Sequence, residues 1–95
     1  MTVILYTQPG CGPCMATKRA LDKAGIPYEV RDVQADEEAA ERLRELEYPG
    51  TPVVEVTTPH GSYHWHGFRK DKIDHLAHQY GGLTHTQEGA ENASY

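Results

Sequence analysis

The chain has 95 residues, 38% of them hydrophobic, and a formal net charge of −5 at pH 7. That is enough apolar material for one modest core and too little for two, so one small domain must house any activity. The acidic residues crowd the middle, at Glu37, Glu38, Glu41, Glu45 and Glu47, which leaves no basic face for nucleic acid or anionic lipid and favours a protein or small-thiol partner.

Thr2 to Tyr6 predicts a buried, β-branched strand bounded by Pro9-Gly10. No basic segment precedes this apolar run, and it is too short for a signal peptide or a membrane span, so a cytoplasmic location is expected. A helix is expected from about Gly12 to Ala24, with Pro13 in its first turn and Gly25-Ile26-Pro27 ending it. Its inward face carries Cys14, Thr17, Leu21 and Ala24. Tyr28 to Val33 alternates like a second strand, and Asp36 caps a second helix running to Glu47 with Ala39, Ala40, Leu43 and Leu46 inward. Two parallel neighbouring strands joined by a helix cross over right-handedly, so the first two strands should lie side by side with the first helix on one face.

After Tyr48-Pro49-Gly50, Val53 to Thr57 predicts a third strand and Ser62 to His66 a fourth, with Thr58-Pro59-His60-Gly61 as the hairpin turn. A third helix runs from about Arg69 to Tyr80, turns Ile73, Leu76, Ala77 and Tyr80 inward, and stops at Gly81-Gly82. Asp71 and Asp74 in its opening turns answer its dipole. Residues 1–82 thus form the domain, and 83–95 read as a flexible polar tail without apolar period. The fold class is α/β, a four-stranded mixed sheet flanked by three helices in the order β-α-β-α-β-β-α.

The chemistry is concentrated in Cys11-Gly12-Pro13-Cys14, directly behind the first strand. A disulfide across that spacing closes too short a loop to staple a fold, because the entropy removed by a crosslink grows with the loop it encloses. Both cysteines lie in this one motif, the usage of a reducing compartment, and redox exchange is the reading. Cys11 lies just ahead of a helix, where unpaired N–H groups and the positive dipole end favour thiolate over thiol. It is therefore the attacking thiol, and Cys14, one turn further and inward, resolves the mixed disulfide. Gly12 leaves room for a partner backbone, and Pro13 fixes the first turn. Lys18 and Arg19 add positive potential near the thiolate or form a solvated face.

In its element order and its CxxC after the first strand, with Thr51-Pro52 opening the third, the chain resembles the thioredoxin superfamily in its minimal glutaredoxin form. Tyr6-Thr7-Gln8-Pro9-Gly10-Cys11, the stretch from Ala16 to Ile26, and Trp65-His66-Gly67-Phe68-Arg69-Lys70-Asp71-Lys72-Ile73 are similar to NrdH-redoxins over roughly residues 1 to 80. The resemblance implies a thiol–disulfide oxidoreductase that donates electrons to the tail of the large subunit of a class Ib ribonucleotide reductase. It also implies reduction by thioredoxin reductase with NADPH, a cis bond at Thr51-Pro52, and a substrate groove of Thr51, Pro52, Gln8, Trp65, Gly67 and Phe68. Of the two aromatics, Trp65 is expected half-exposed for docking, since an indole suits such a site. Gln8 stands where relatives often have Lys and removes a charge used for the glutathione carboxylate, while His66 and Lys70 replace the usual Ser and Pro. The Gly-Pro pair is that of thioredoxin, whose potential lies about 40 to 70 mV below that of glutaredoxins, roughly 2 to 3 kcal/mol toward the reductant.

Two metal readings compete. Six histidines accompany the CxxC, with His64 and His66 on one strand face and His75 and His78 one helical turn apart, but no second ligand pair completes a zinc pattern. An iron–sulfur role normally recruits glutathione, against which Gln8 argues. The expectation is a monomer with no bound cofactor or metal, whose redox centre is the Cys11–Cys14 disulfide. Tyr6 and Tyr28 read as core. A glutathione- or mycothiol-linked glutaredoxin, or a thioredoxin-like scaffold subunit, are the alternatives.

Overall fold

Seven elements follow one another as expected in the computed structural model, which describes residues 1–84. They are β1 (Thr2–Thr7), α1 (Gly12–Lys23), β2 (Glu29–Asp32), α2 (Glu37–Leu46), β3 (Val53–Thr58), β4 (Gly61–His66) and α3 (Lys70–Thr84). The sheet order is β2-β1-β3-β4. β1 pairs parallel with β2 and antiparallel with β3, and β3 pairs antiparallel with β4.

Because β1 lies inside the sheet, both of its faces need covering, and its apolar run is accordingly unbroken. Val3 and Leu5 face one way, where Leu21 of α1 and Ile73 and Leu76 of α3 join Val54, Val56 and Trp65 in the larger core. Ile4 and Tyr6 face the other way, against Ala39 and Leu43 of α2 and Val53. Leu5, Leu21 and Leu76 are wholly buried, and each such side chain contributes about 2 kcal/mol of apolar transfer free energy.

The helix boundaries follow from local chemistry. α1 ends at the Ala24 cap, and Gly25 takes φ +73°, a left-handed conformation that glycine adopts without steric cost. The Ile26 N–H then reaches back to the Leu21 carbonyl at 3.0 Å, and Ile26 is buried. Ala24 is therefore exposed rather than inward; Ile26, folded back under the helix end, fills the place expected for it. Asp36 caps α2 as expected, its Oδ1 accepting from the N–H groups of Glu38 (3.0 Å) and Ala39 (3.2 Å).

Two boundaries differ. β2 is only four residues long, with Tyr28 and Val33 outside it, each packed on one of the two cores. The third helix does not stop at Gly81-Gly82 but continues through both glycines to Thr84. Glycine lowers helix propensity by about 1 kcal/mol yet still donates its N–H to the ladder, so unlike proline it weakens a helix without ending it. Of the polar tail expected over 83–95, residues 85–95 lie outside the described part. No helix among the described residues is long and apolar enough to cross a membrane.

Candidate active site at the start of helix α1

Cys11 is the N-cap of α1, with extended backbone (φ −98°, ψ 103°), and Pro13 occupies the first turn. Cys11 and Cys14 are joined as a disulfide with their Cα atoms 5.2 Å apart. The Cys14 N–H donates to Cys11 Sγ at 3.2 Å, so one of the helix's orphan N-terminal donors is aimed at this sulfur. A hydrogen bond to the charged form favours thiolate once the disulfide is reduced. Cys14 is 2% exposed, whereas Cys11 is partly exposed. The first turn is braced from below, because the buried Thr17 hydroxyl donates to the Pro13 carbonyl at 2.9 Å.

A second segment meets the thiols from β3. Thr51-Pro52 is a cis bond, as the resemblance implies, and the Thr51 hydroxyl lies 3.6 Å from Cys11 Sγ. The Gly67 N–H donates to the Pro52 carbonyl at 2.8 Å, tying the end of β4 to the same rim. Gly67 holds φ +85°, which a side-chain-bearing residue would rarely adopt. Phe68 follows it and is 42% exposed. Gln8, Gly12 and Cys11 share the wall of an open groove of about 600 Å³.

Trp65 does not belong to this surface. It pairs with Val54 across β3 and β4, so it shares the inward face with Val54 and is only 3% exposed. The strand's period of two sends the indole into the larger core and His64 and His66 to the other face. Its Nε1 is buried with no hydrogen-bond partner among the described residues. Of the two aromatics only Phe68 is exposed, so the half-exposure expected of Trp65 does not hold.

The histidine pair on β4 does form a cluster, with an aromatic partner. The Tyr48 hydroxyl lies 2.7 Å from His64 Nδ1, and the Tyr48 ring stacks on His66 at 5.5 Å between centroids. Tyr48 opens the loop that leads to Thr51, so this contact tethers the loop to the sheet edge. Among the described residues no group of three His, Cys, Asp or Glu side chains is placed to hold a metal.

On the α2 face, sequence reasoning missed a buried charge. Glu55 is 8% exposed, accepts from the Tyr6 hydroxyl at 2.9 Å, and takes both Nε (3.2 Å) and Nη2 of Arg42. The Arg42 hydrogen bond holds the Glu55 carboxyl below the usual carboxylate range, against the opposing effect of burial. Burial, helped by the hydrogen bond to Glu55, pushes the Tyr6 hydroxyl up to about 12. The apolar run Val53-Val54-Glu55-Val56 carries the available signal, since a lone acid inside a buried strand requires a partner.

The pair of sulfurs, one reachable and one shielded, beside a cis-proline rim, is built for dithiol–disulfide exchange. The glutaredoxin family profile matches residues 3–60. The chain belongs to the glutaredoxin family. Over 76 residues it is 40% identical to the glutaredoxin-like protein NrdH of Escherichia coli strain K12, covering 80% of this chain and 89% of that protein. It is 35% identical over 82 residues to the gene 56 protein of Mycobacterium phage D29, covering 82% and 84%. The solved structure of the Escherichia coli NrdH-redoxin, a glutaredoxin-like protein described as having a thioredoxin-like activity profile, superposes with a TM-score of 0.71 at 38% identity. That match covers 80% of this chain and 95% of the other. The protein is thus a thiol–disulfide oxidoreductase of the NrdH-like branch with a thioredoxin-like fold, and its redox centre is the Cys11–Cys14 pair.

Proposed function

We propose that the chain is a cytoplasmic dithiol reductase of protein disulfides that serves the tail of a class Ib ribonucleotide reductase. In this reading it is re-reduced by thioredoxin reductase at the expense of NADPH. The Cys11 thiolate attacks one sulfur of the partner's disulfide, forming a mixed disulfide and expelling the second sulfur as a thiolate that takes up a proton. Cys14, deprotonated, then attacks Cys11 Sγ, the partner leaves with both thiols reduced, and the Cys11–Cys14 disulfide holds the two electron equivalents of oxidation. Thr51, Pro52, Gly67 and Phe68 form the rim on which the partner segment lies, and Gln8, being uncharged, offers nothing to a glutathione carboxylate.

The observation that carries this reading is the asymmetry of the pair, a partly exposed Cys11 Sγ that accepts the Cys14 N–H against a shielded Cys14. The identity to NrdH supports the choice of partner. NADPH oxidation is measured with thioredoxin reductase, this protein and the oxidised large subunit of a class Ib reductase, beside the same assay with glutathione and glutathione reductase. Turnover with thioredoxin reductase is expected; turnover only with glutathione contradicts the reading.

A further inference from the structure

The wall of the active-site groove away from Thr51-Pro52 is chemically specific. Cys11, Met15 and Lys18 recur at helical spacing along one stripe of α1, and Val30 of β2 lines the groove with them. Val30 pairs with Leu5 and lies on the sheet face that α1 covers, but β2 is the edge strand and α1 leaves it uncapped. Val30 is 43% exposed and Met15 49%, two large apolar side chains flanking the same channel. Among the described residues Lys18 is the one cation and Asp32 the one carboxylate on this wall. The Asp32 carboxylate already accepts the Gln34 N–H at 2.8 Å, while Lys18 has no ion-pair partner among the described residues.

We propose that this groove receives the substrate segment flanking the attacked cysteine, with an apolar side chain between Met15 and Val30 and a carboxylate at Lys18. The proposal rests on the dithiol-reductase reading and adds a preferred partner sequence to it. Along α1, Met15 lies about 6 Å and Lys18 about 10 Å from Cys11 at a rise of about 1.5 Å per residue. An extended peptide advances about 3.3 Å per residue and its alternate side chains share a face, which puts Met15 opposite the second residue from the attacked cysteine and the long Lys18 side chain within reach of the fourth. The occupant is therefore an acidic peptide with an apolar residue second and Asp or Glu fourth from its disulfide. In a protein of net charge −5, an unpaired lysine on the wall of the reactive groove also offsets the general repulsion of such a segment.

The test uses synthetic disulfide-bridged peptides with Leu second and either Glu or Lys fourth from the bridge, one set on each flank. The reduced full-length protein and its Lys18→Glu variant are compared by kcat/KM, each normalised to hydroxyethyl disulfide so that a change in thiol reactivity divides out. On one flank the wild type should prefer the Glu peptide by about threefold, the range of an exposed ion pair, and Lys18→Glu should invert that preference. Replacing Leu by Ser in the preferred peptide should lower kcat/KM in both proteins. Equal rates for the Glu and Lys peptides on both flanks, or a preference unchanged by Lys18→Glu, overturns the groove assignment while leaving the reductase reading intact. Failure of the wild type to reduce any peptide or hydroxyethyl disulfide overturns the reductase reading, and this proposal with it.

Discussion

On the sheet face covered by α1 and α3, the buried set is apolar apart from Thr17 and the Trp65 indole N–H, and the Thr17 hydroxyl is satisfied within α1. On the α2 face, the smaller apolar cluster of Tyr6, Ala39, Leu43 and Val53 adjoins Glu55 and its hydrogen bonds to Tyr6 and Arg42. One face contributes stability chiefly through burial, with the Tyr28 and Tyr63 hydroxyls raised above the usual phenol range at its edge, and the other through groups that titrate at both ends of the pH range. The thiols ride on the first face, so the acid limb of the folding profile, set by Glu55, and the chemistry of the disulfide are assigned to opposite sides of one sheet.

The comparison breaks first, and most strongly, at Leu21. It is wholly buried between α1 and the sheet, and Leu21→Ala should cost about 3 kcal/mol through lost burial and the cavity left behind. Urea unfolding should show that loss with the same size at pH 5 and pH 8. A loss that varies with pH would mean that the thiol face carries hidden titrating groups.

Glu55→Ala, on the other face, leaves the buried Tyr6 hydroxyl and the Nε and Nη2 of Arg42 without their acceptor and should cost about 2 kcal/mol. Because the Glu55 carboxyl is held below its ordinary value of 4.5, its contribution is fully present above that pH and is lost as the pH falls through the depressed value. Glu55→Gln should therefore flatten the acid limb of the stability profile. The rate of disulfide reduction per folded molecule should stay that of the wild type, and a changed rate would join the two faces that the comparison separates.

Tyr6 supplies the alkaline counterpart. Its hydroxyl is raised from 10 to about 12 in the fold, so the stability it adds is present below pH 10 and is lost as the pH rises toward 12. Tyr6→Phe should lower stability at pH 8 by about 1 kcal/mol and reduce the fall between pH 10 and 12. Tyr28 is raised to about 12 as well, by burial and then by its hydrogen bond to Asp22, so some alkaline loss should remain in that variant. The smallest effect is expected at Glu47, which ends α2 in the left-handed region at φ +62°. Glu47→Gly should raise the thermal midpoint by the equivalent of about 0.5 kcal/mol, the left-handed strain relieved less the added freedom of glycine.

How much of this is legible in the chain depends on the range of the interaction. Strand and helix order, the Asp36 cap, the Gly25 turn and the position of Cys11 ahead of α1 rest on neighbours within a few residues, and all are readable. Trp65 is misplaced because its exposure is decided by the β3–β4 register, which puts it opposite Val54 rather than by any property of the indole. Gly81 and Gly82 are over-read as a stop, since propensity alone does not say where a docked helix ends. The Glu55 network and the Tyr48 contact with His64 and His66 join residues 13 to 49 positions apart, and only the folded sheet brings those side chains together. The groove wall of Met15, Lys18 and Val30 is hidden for a like reason, because it needs an edge strand that its helix fails to cover.

The central claim is that Cys11 attacks a partner's disulfide and Cys14 resolves it. The most direct measurement incubates reduced Cys14→Ser and Cys11→Ser proteins with an oxidised protein disulfide and weighs the products by mass spectrometry under non-reducing conditions. The account predicts a stable mixed disulfide through Cys11 in Cys14→Ser and no adduct in Cys11→Ser. An adduct through Cys14 in Cys11→Ser, or full multiple-turnover reduction of the protein disulfide by Cys14→Ser, would contradict it.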